Sequence, residues 1–104
     1  MADDLSDDFA AELRPLRARI DAIDARIVEL LNERAEIALE IGRRKDAAGG
    51  RAIRDPAREH AVIEHALETS AGLFPDEELV SLYRKLIAAT RRVQVEQRRR
   101  AGGP

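Results

Sequence analysis

Leu13, Leu16, Ile20, Ile23, Ile27, Leu30, Arg34, Ile37 and Ile41 are spaced alternately three and four residues apart. That spacing places all of them on one face of a helix, and every member but Arg34 is apolar. A guanidinium at that step brings a permanent charge into a seam that otherwise excludes water. It cannot shed its proton, so it needs an anion beside it or a route to solvent. The seam points to an anion held among helices.

Pro15 fits the first turn of a helix, where its missing N–H costs nothing. Residues 1–12 then read as a disordered acidic lead-in, followed by a domain over 13–97. From Pro15 no proline or turn cluster intervenes until Ala48, a helix of roughly 33 residues and about 50 Å. A compact chain of 104 residues has a radius of gyration of only about 13 Å. The long helix should overshoot a monomer, and its seam should need a second chain to cover it.

Gly49-Gly50 breaks this helix, and Asp55-Pro56 reads as an N-cap with proline at the first helical position. The second helix is expected to bury Val62, Ile63, Ala66 and Leu67 and to stop at Gly72. Pro75, followed by Asp76, Glu77 and Glu78, opens a third helix whose dipole favours those acids. Its expected seam is Leu79, Leu82, Tyr83, Leu86, Thr90, Val93 and Gln97. Residues 98–104 are expected to be a disordered tail. The fold class is all-α: one long and two shorter helices per chain, forming an intertwined helical-bundle homodimer.

Composition narrows the function. Hydrophobic residues make up 44% but aromatics only 3%, so any core is aliphatic. The net charge of -2 gives no global case for nucleic acid. The chain has no cysteine, hence no thiol nucleophile or zinc–thiolate site. His60 and His65 are five apart and miss the i, i+4 spacing of a helical metal pair. No apolar run approaches membrane-spanning length and no signal sequence opens the chain, so a cytoplasmic location is expected.

Four polar features do not belong to a plain bundle. Arg34 interrupts the first seam. Lys45 lies eleven residues on, near the same face, and is one of two lysines against sixteen arginines. Thr90 sits in the third seam with Gln94 one turn below. Arg54, Asp55, Arg58 and Glu59 cluster at the start of the second helix. Each has a bland counterpart: Arg34 snorkels or pairs with a glutamate, and Lys45 is a solvated charge. Thr90 and Gln94 set register, Asp55 is simply a cap, and Arg17 is an exposed neighbour of the seam. Together, converging cations describe a pocket for a small molecule bearing several carboxylates. No Ser/His/Asp set, metal cluster or glycine-rich phosphate loop accompanies them. Such a site binds, or it catalyses by electrostatic preorganisation, for which a rearrangement is the natural chemistry.

These residues resemble the all-helical class of chorismate mutases from Leu16 to about Gln97. Leu16-Arg17-Ala18-Arg19-Ile20-Asp21-Ala22-Ile23-Asp24 resembles the opening of that family's long helix. Leu30-Leu31-Asn32-Glu33-Arg34 and Ile41-Gly42-Arg43-Arg44-Lys45 resemble its middle and end, and Ile53-Arg54-Asp55-Pro56-Ala57-Arg58-Glu59 the start of its second helix. The resemblance implies an interlocked homodimer with two equivalent sites and no cofactor or metal, serving aromatic amino acid biosynthesis. It makes Arg34, Lys45 and Gln94 catalytic: Arg34 for a carboxylate, Lys45 for a carboxylate and the ether oxygen, Gln94 as second donor to that oxygen. Arg17 would reach across from the partner chain. Asp55 and Glu59 would fix the ring hydroxyl, Arg58 would line the pocket, and Thr90 stands where relatives can have serine. Some relatives have a glutamate at the position of Gln94, which must be protonated to donate.

The implied reaction is the concerted [3,3] shift of chorismate to prephenate, with no proton transfer. The chain is expected to be a monofunctional version without feedback control by aromatic amino acids through its own chain; an unidentified partner enzyme is a candidate regulator. Two rivals keep the fold, a 4-amino-4-deoxychorismate mutase and an isochorismate pyruvate-lyase. A third is a non-catalytic helical dimerisation module, which explains the seam but not the convergence of Arg17, Arg34, Lys45 and Gln94.

Overall fold

The computed structural model describes residues 6–50 and 53–102. Three helices account for most of them: α1 (Asp7–Ala47), α2 (Pro56–Thr69) and α3 (Asp76–Ala101). No strand occurs among the described residues, so the all-helical, three-helix reading holds. None of these helices is long and apolar enough to cross a membrane. The chain divides into two units, Met1–Arg34 and Ala35–Pro104.

The first unit holds the larger part of α1, which starts earlier than Pro15 suggests. Ser6 caps it: the Phe9 N–H donates to Ser6 Oγ at 3.1 Å, and the Ala10 N–H to the Ser6 carbonyl at 2.9 Å. Asp7 and Asp8 fill the first turn, where the helix dipole favours negative charge. Cap and acids offset part of the cost of Pro15, which lies inside the helix and leaves the Ala11 carbonyl without its usual donor. Residues 7–12 are therefore helical rather than a disordered lead-in; the expectation for residues 1–5 lies outside the described residues. Along this unit the seam is open, with Leu16, Ile20, Ile23, Ile27 and Leu30 all exposed.

The second unit begins with the last turns of α1 and contains α2 and α3. Here α1 ends in a Schellman motif. Gly49 adopts φ +87, its N–H donates to the Asp46 carbonyl at 3.0 Å, and the Gly50 N–H donates to the Lys45 carbonyl at 2.8 Å. The Gly49-Gly50 break thus stands where the sequence places it. Asp55 caps α2 through Oδ1, which accepts the Arg58 N–H at 3.1 Å, with Pro56 at the first helical position.

Helix α2 ends at Thr69 with Ser70 as C-cap, short of the stop expected at Gly72. Gly72 lies in the following loop at φ +90 and donates its N–H to Ser70 Oγ at 3.2 Å. Helix α3 packs on α2, and among the described residues the buried hydrophobic ones are Ala66 of α2 and Ile87 of α3. Val62, Ile63 and Leu67 are half-buried around Ala66, as their spacing requires.

The α3 seam needs a correction. Ile87, not among its expected members, is the buried one, whereas Leu82, Val93 and Gln97 are exposed. Leu79, Tyr83, Leu86 and Thr90 of the expected seam are half-buried, and Leu79 and Tyr83 line a cavity with Ala66 and Thr69 of α2, so the buried face overlaps the stripe but is centred on Ile87. Helix α3 also runs on to Ala101, so residues 98–101 are helical rather than a disordered tail; residues 103–104 lie outside the described residues.

Candidate active site

Within the second unit, the end of α1 and the C-terminal half of α3 line a cavity of about 100 Å³, bordered by Leu39, Gly42, Lys45, Asp46, Gln94 and Arg98 among others. Lys45 belongs to the turn held by the Schellman motif, so the Gly50 bond fixes the backbone from which its side chain extends. Gln94 is held from the other side: its Nε2 donates to the Ala38 carbonyl at 2.9 Å. Gly42 lies beneath that amide, and a Cβ added there would sit 3.9 Å from Nε2. That is an ordinary contact distance, so α1 and the glutamine of α3 lie side by side here without the glycine being required for space.

The remaining expected residues fall in different surroundings. Glu59, half-buried at the start of α2, accepts from Arg91 of α3 at 3.0 Å. Arg91 was not among the sequence candidates; a cation 32 positions away becomes a partner only once α2 and α3 pack. Asp55 serves as the α2 cap, its bland counterpart, and Arg58 supplies the capped N–H while its residue stays exposed. Thr90 turns its hydroxyl back to the Leu86 carbonyl at 2.8 Å, as threonine inside a helix commonly does. Arg17 and Arg34 belong to the first unit, Arg17 exposed and Arg34 half-buried. Within the second unit, Asp55, Arg58, Glu59 and Thr90 are not among the residues that line the Lys45–Gln94 cavity.

Arg98 falls in the stretch expected from sequence to be a disordered tail, yet its Nη2 donates to Asp46 Oδ1 at 2.6 Å and it lines the cavity. A pairing 52 residues apart leaves no periodic trace in sequence. Just upstream, Glu40 accepts from Arg44 at 2.9 Å and Arg43 at 3.0 Å. These hydrogen bonds, Arg44 first, hold its carboxyl below the ordinary value of 4.5. No cluster of His, Cys, Asp or Glu suited to a metal occurs among the described residues.

An ammonium and a carboxamide on one small, largely helical cavity make this an all-α domain equipped with hydrogen-bond donors for an electron-rich ligand. The chain belongs to the chorismate mutase type II family, which matches residues 16–95. It is 45% identical over 82 residues to a bifunctional chorismate mutase/prephenate dehydratase of Aquifex aeolicus, covering 75% of this chain and 22% of that protein. Proteins of the same description from Stutzerimonas stutzeri and Neisseria gonorrhoeae are 37% identical over 84 residues and 42% over 76. These alignments cover 77% and 73% of this chain, and 23% and 20% of those proteins. The chain thus spans about a fifth of the length of the relatives it matches. The resemblance read from the residues is borne out at the level of the family.

Proposed function

We propose that the protein is a chorismate mutase that rearranges chorismate to prephenate as a homodimer. The observation that carries this reading is the placement of Lys45 and Gln94 on one cavity in a chain of this family. The reaction breaks a C–O bond as a C–C bond forms, within one molecule and without proton transfer. Carboxylate clamps hold the compact conformer and remove freedom that the barrier would otherwise include. Donors aimed at the ether oxygen then stabilise charge that grows only on the way to the transition state.

Lys45 and Gln94 are assigned as those donors, and Arg34 as a carboxylate clamp. Arg17 is assigned to the partner's site, and Arg58, Asp55, Glu59 and Thr90 to substrate binding. Glu59 would take the ring hydroxyl while the Arg91 bond keeps its carboxylate in place. The cavity of about 100 Å³ is well below the roughly 300–1,000 Å³ of ordinary ligand sites. A second chain that completes its walls accounts for the shortfall. The open seam of α1 supplies the surface for that chain. Prephenate is also named in the second activity of the relatives, so a prephenate-consuming enzyme is the proposed next step in the reaction sequence.

The test is direct. Purified protein receives chorismate, 4-amino-4-deoxychorismate and isochorismate separately, with products separated by chromatography. Prephenate with the highest kcat/KM is expected. Preference for the amino substrate would reassign the substrate, release of pyruvate from isochorismate would make the protein a lyase, and no turnover would overturn the enzymatic reading.

A further inference from the structure

In the second unit α1 and α3 are tied at two levels. Gln94 reaches the Ala38 carbonyl, and about two turns further along α1, Arg98 meets Asp46 at 2.6 Å. Asp46 directly follows Lys45, and Arg98 lies one turn beyond Gln94. The second tie therefore joins the turn that carries one ether-oxygen donor to the turn after the other. Asp46 and Arg98 line the Lys45–Gln94 cavity, and both also line a second space of about 310 Å³ beside Gly49, Gly50 and Gly102. The ion pair is a wall that the two spaces share.

The side chains of Arg98 and Asp46 are 35% and 44% exposed, and a pair this open adds little to folding stability. Geometry is a different matter, because a donor displaced by about 1 Å can cost a reaction up to about a hundredfold. The charge of Arg98 is already matched by Asp46, which suits an internal brace better than a substrate clamp.

We propose that Asp46 and Arg98 are positioning residues whose ion pair sets the gap between Lys45 and Gln94 and closes one side of the cavity. The proposal rests on the chorismate mutase reading above. Neither residue touches the reacting atoms; both act through the helices that carry the donors.

The experiment compares the full chain with Arg98→Ala, Asp46→Asn, the double variant and Arg98→Lys, using chorismate turnover, circular dichroism and the side-chain amide NMR signals of Gln94. Each single substitution is expected to lower kcat about tenfold with KM changed less than about twofold. The double variant should be no worse than either single, because both remove the same contact. Arg98→Lys should recover at least half of kcat, and the Gln94 signals should move in both single variants while helicity is kept. A rise in KM with kcat intact would make Arg98 a substrate clamp and overturn the brace, as would unchanged kcat in either single variant. If the unmodified protein forms no prephenate, the mutase reading falls by itself. The brace then stands if the Gln94 signals move in both single variants and falls if they do not.

Discussion

Between Leu16 and Leu30 the seam side chains lie open, Ile20 at 58% and Ile23 at 59% exposure, with charged pairs such as Arg26–Glu29 at 3.3 Å along the same helix. From Ala35 onward the chain buries Ala66 and Ile87 and links its helices through Arg91–Glu59, Gln94–Ala38 and Arg98–Asp46. The first stretch is stabilised by hydrogen bonds and ion pairs within its own helix, the second by packing and by bonds between helices. A helix with an unburied stripe of this length forgoes about 1.5–3 kcal/mol for each large side chain left in water. On the proposed function the two stretches have separate duties, assembly for the first and donor placement for the second.

The sharpest way to break that contrast is a charge in the open stripe. In the proposed dimer, Ile23→Asp would remove one apolar side chain from each of two chains, about 3–6 kcal/mol per dimer before the cost of burying the charge. Association should weaken by at least about a hundredfold, read by analytical ultracentrifugation. An unchanged sedimentation profile would place assembly elsewhere. Next in size, Lys45→Ala and Gln94→Ala should each raise the barrier by about 3–4 kcal/mol while sedimenting like the parent. Prephenate formation at saturating chorismate checks this, and near-normal turnover would remove that residue from the site.

The end of α1 offers a smaller and purely conformational probe. Gly49→Ala places a Cβ at φ +87, which costs about 1–2 kcal/mol and should lower Tm by several degrees in calorimetry. An unshifted Tm would show that the Schellman turn contributes nothing to stability. The least effect belongs to Glu40. Its folded-state carboxyl lies below the ordinary 4.5 because Arg44 and Arg43 bond the charged form. The contribution is full above the unfolded value and fades as pH falls through the folded one. NMR titration should find its midpoint below 4.5, and Glu40→Gln should flatten stability against pH across that window. A midpoint at or above the ordinary value would deny the pairing.

Local signals in the sequence were reliable where a single residue decides the backbone. Asp55-Pro56 and Gly49-Gly50 stand where capping chemistry puts them, because each depends only on neighbours within a turn. Competing local signals were harder. Pro15 looked like a helix start, yet Ser6 with Asp7 and Asp8 makes a better one and the helix runs through the proline. Ile87 was hidden because the stripe from Leu79 to Val93 can be traced without it; only the packing against α2 selects the buried face. At the site, Lys45 and Gln94 were legible as polar departures from apolar periodicity. Arg91 and Arg98 were not, since an arginine on a charged helix looks solvated until its acid arrives from another helix.

The bond from Gln94 to the Ala38 carbonyl decides which end of the amide faces where. A carbonyl only accepts, so the nitrogen is the end it can hold; reversing the amide would set oxygen against oxygen. The helix backbone thus assigns the polarity of a side chain that is otherwise nearly symmetric, with no titrating group involved. A rate that depends on that amide should vary little between mildly acidic and neutral pH. Gln94→Glu would bring a carboxylate against the same carbonyl, and the helix could then hold the side chain only in its protonated form. The substitution would give a pH-insensitive donor the behaviour of an acid switch.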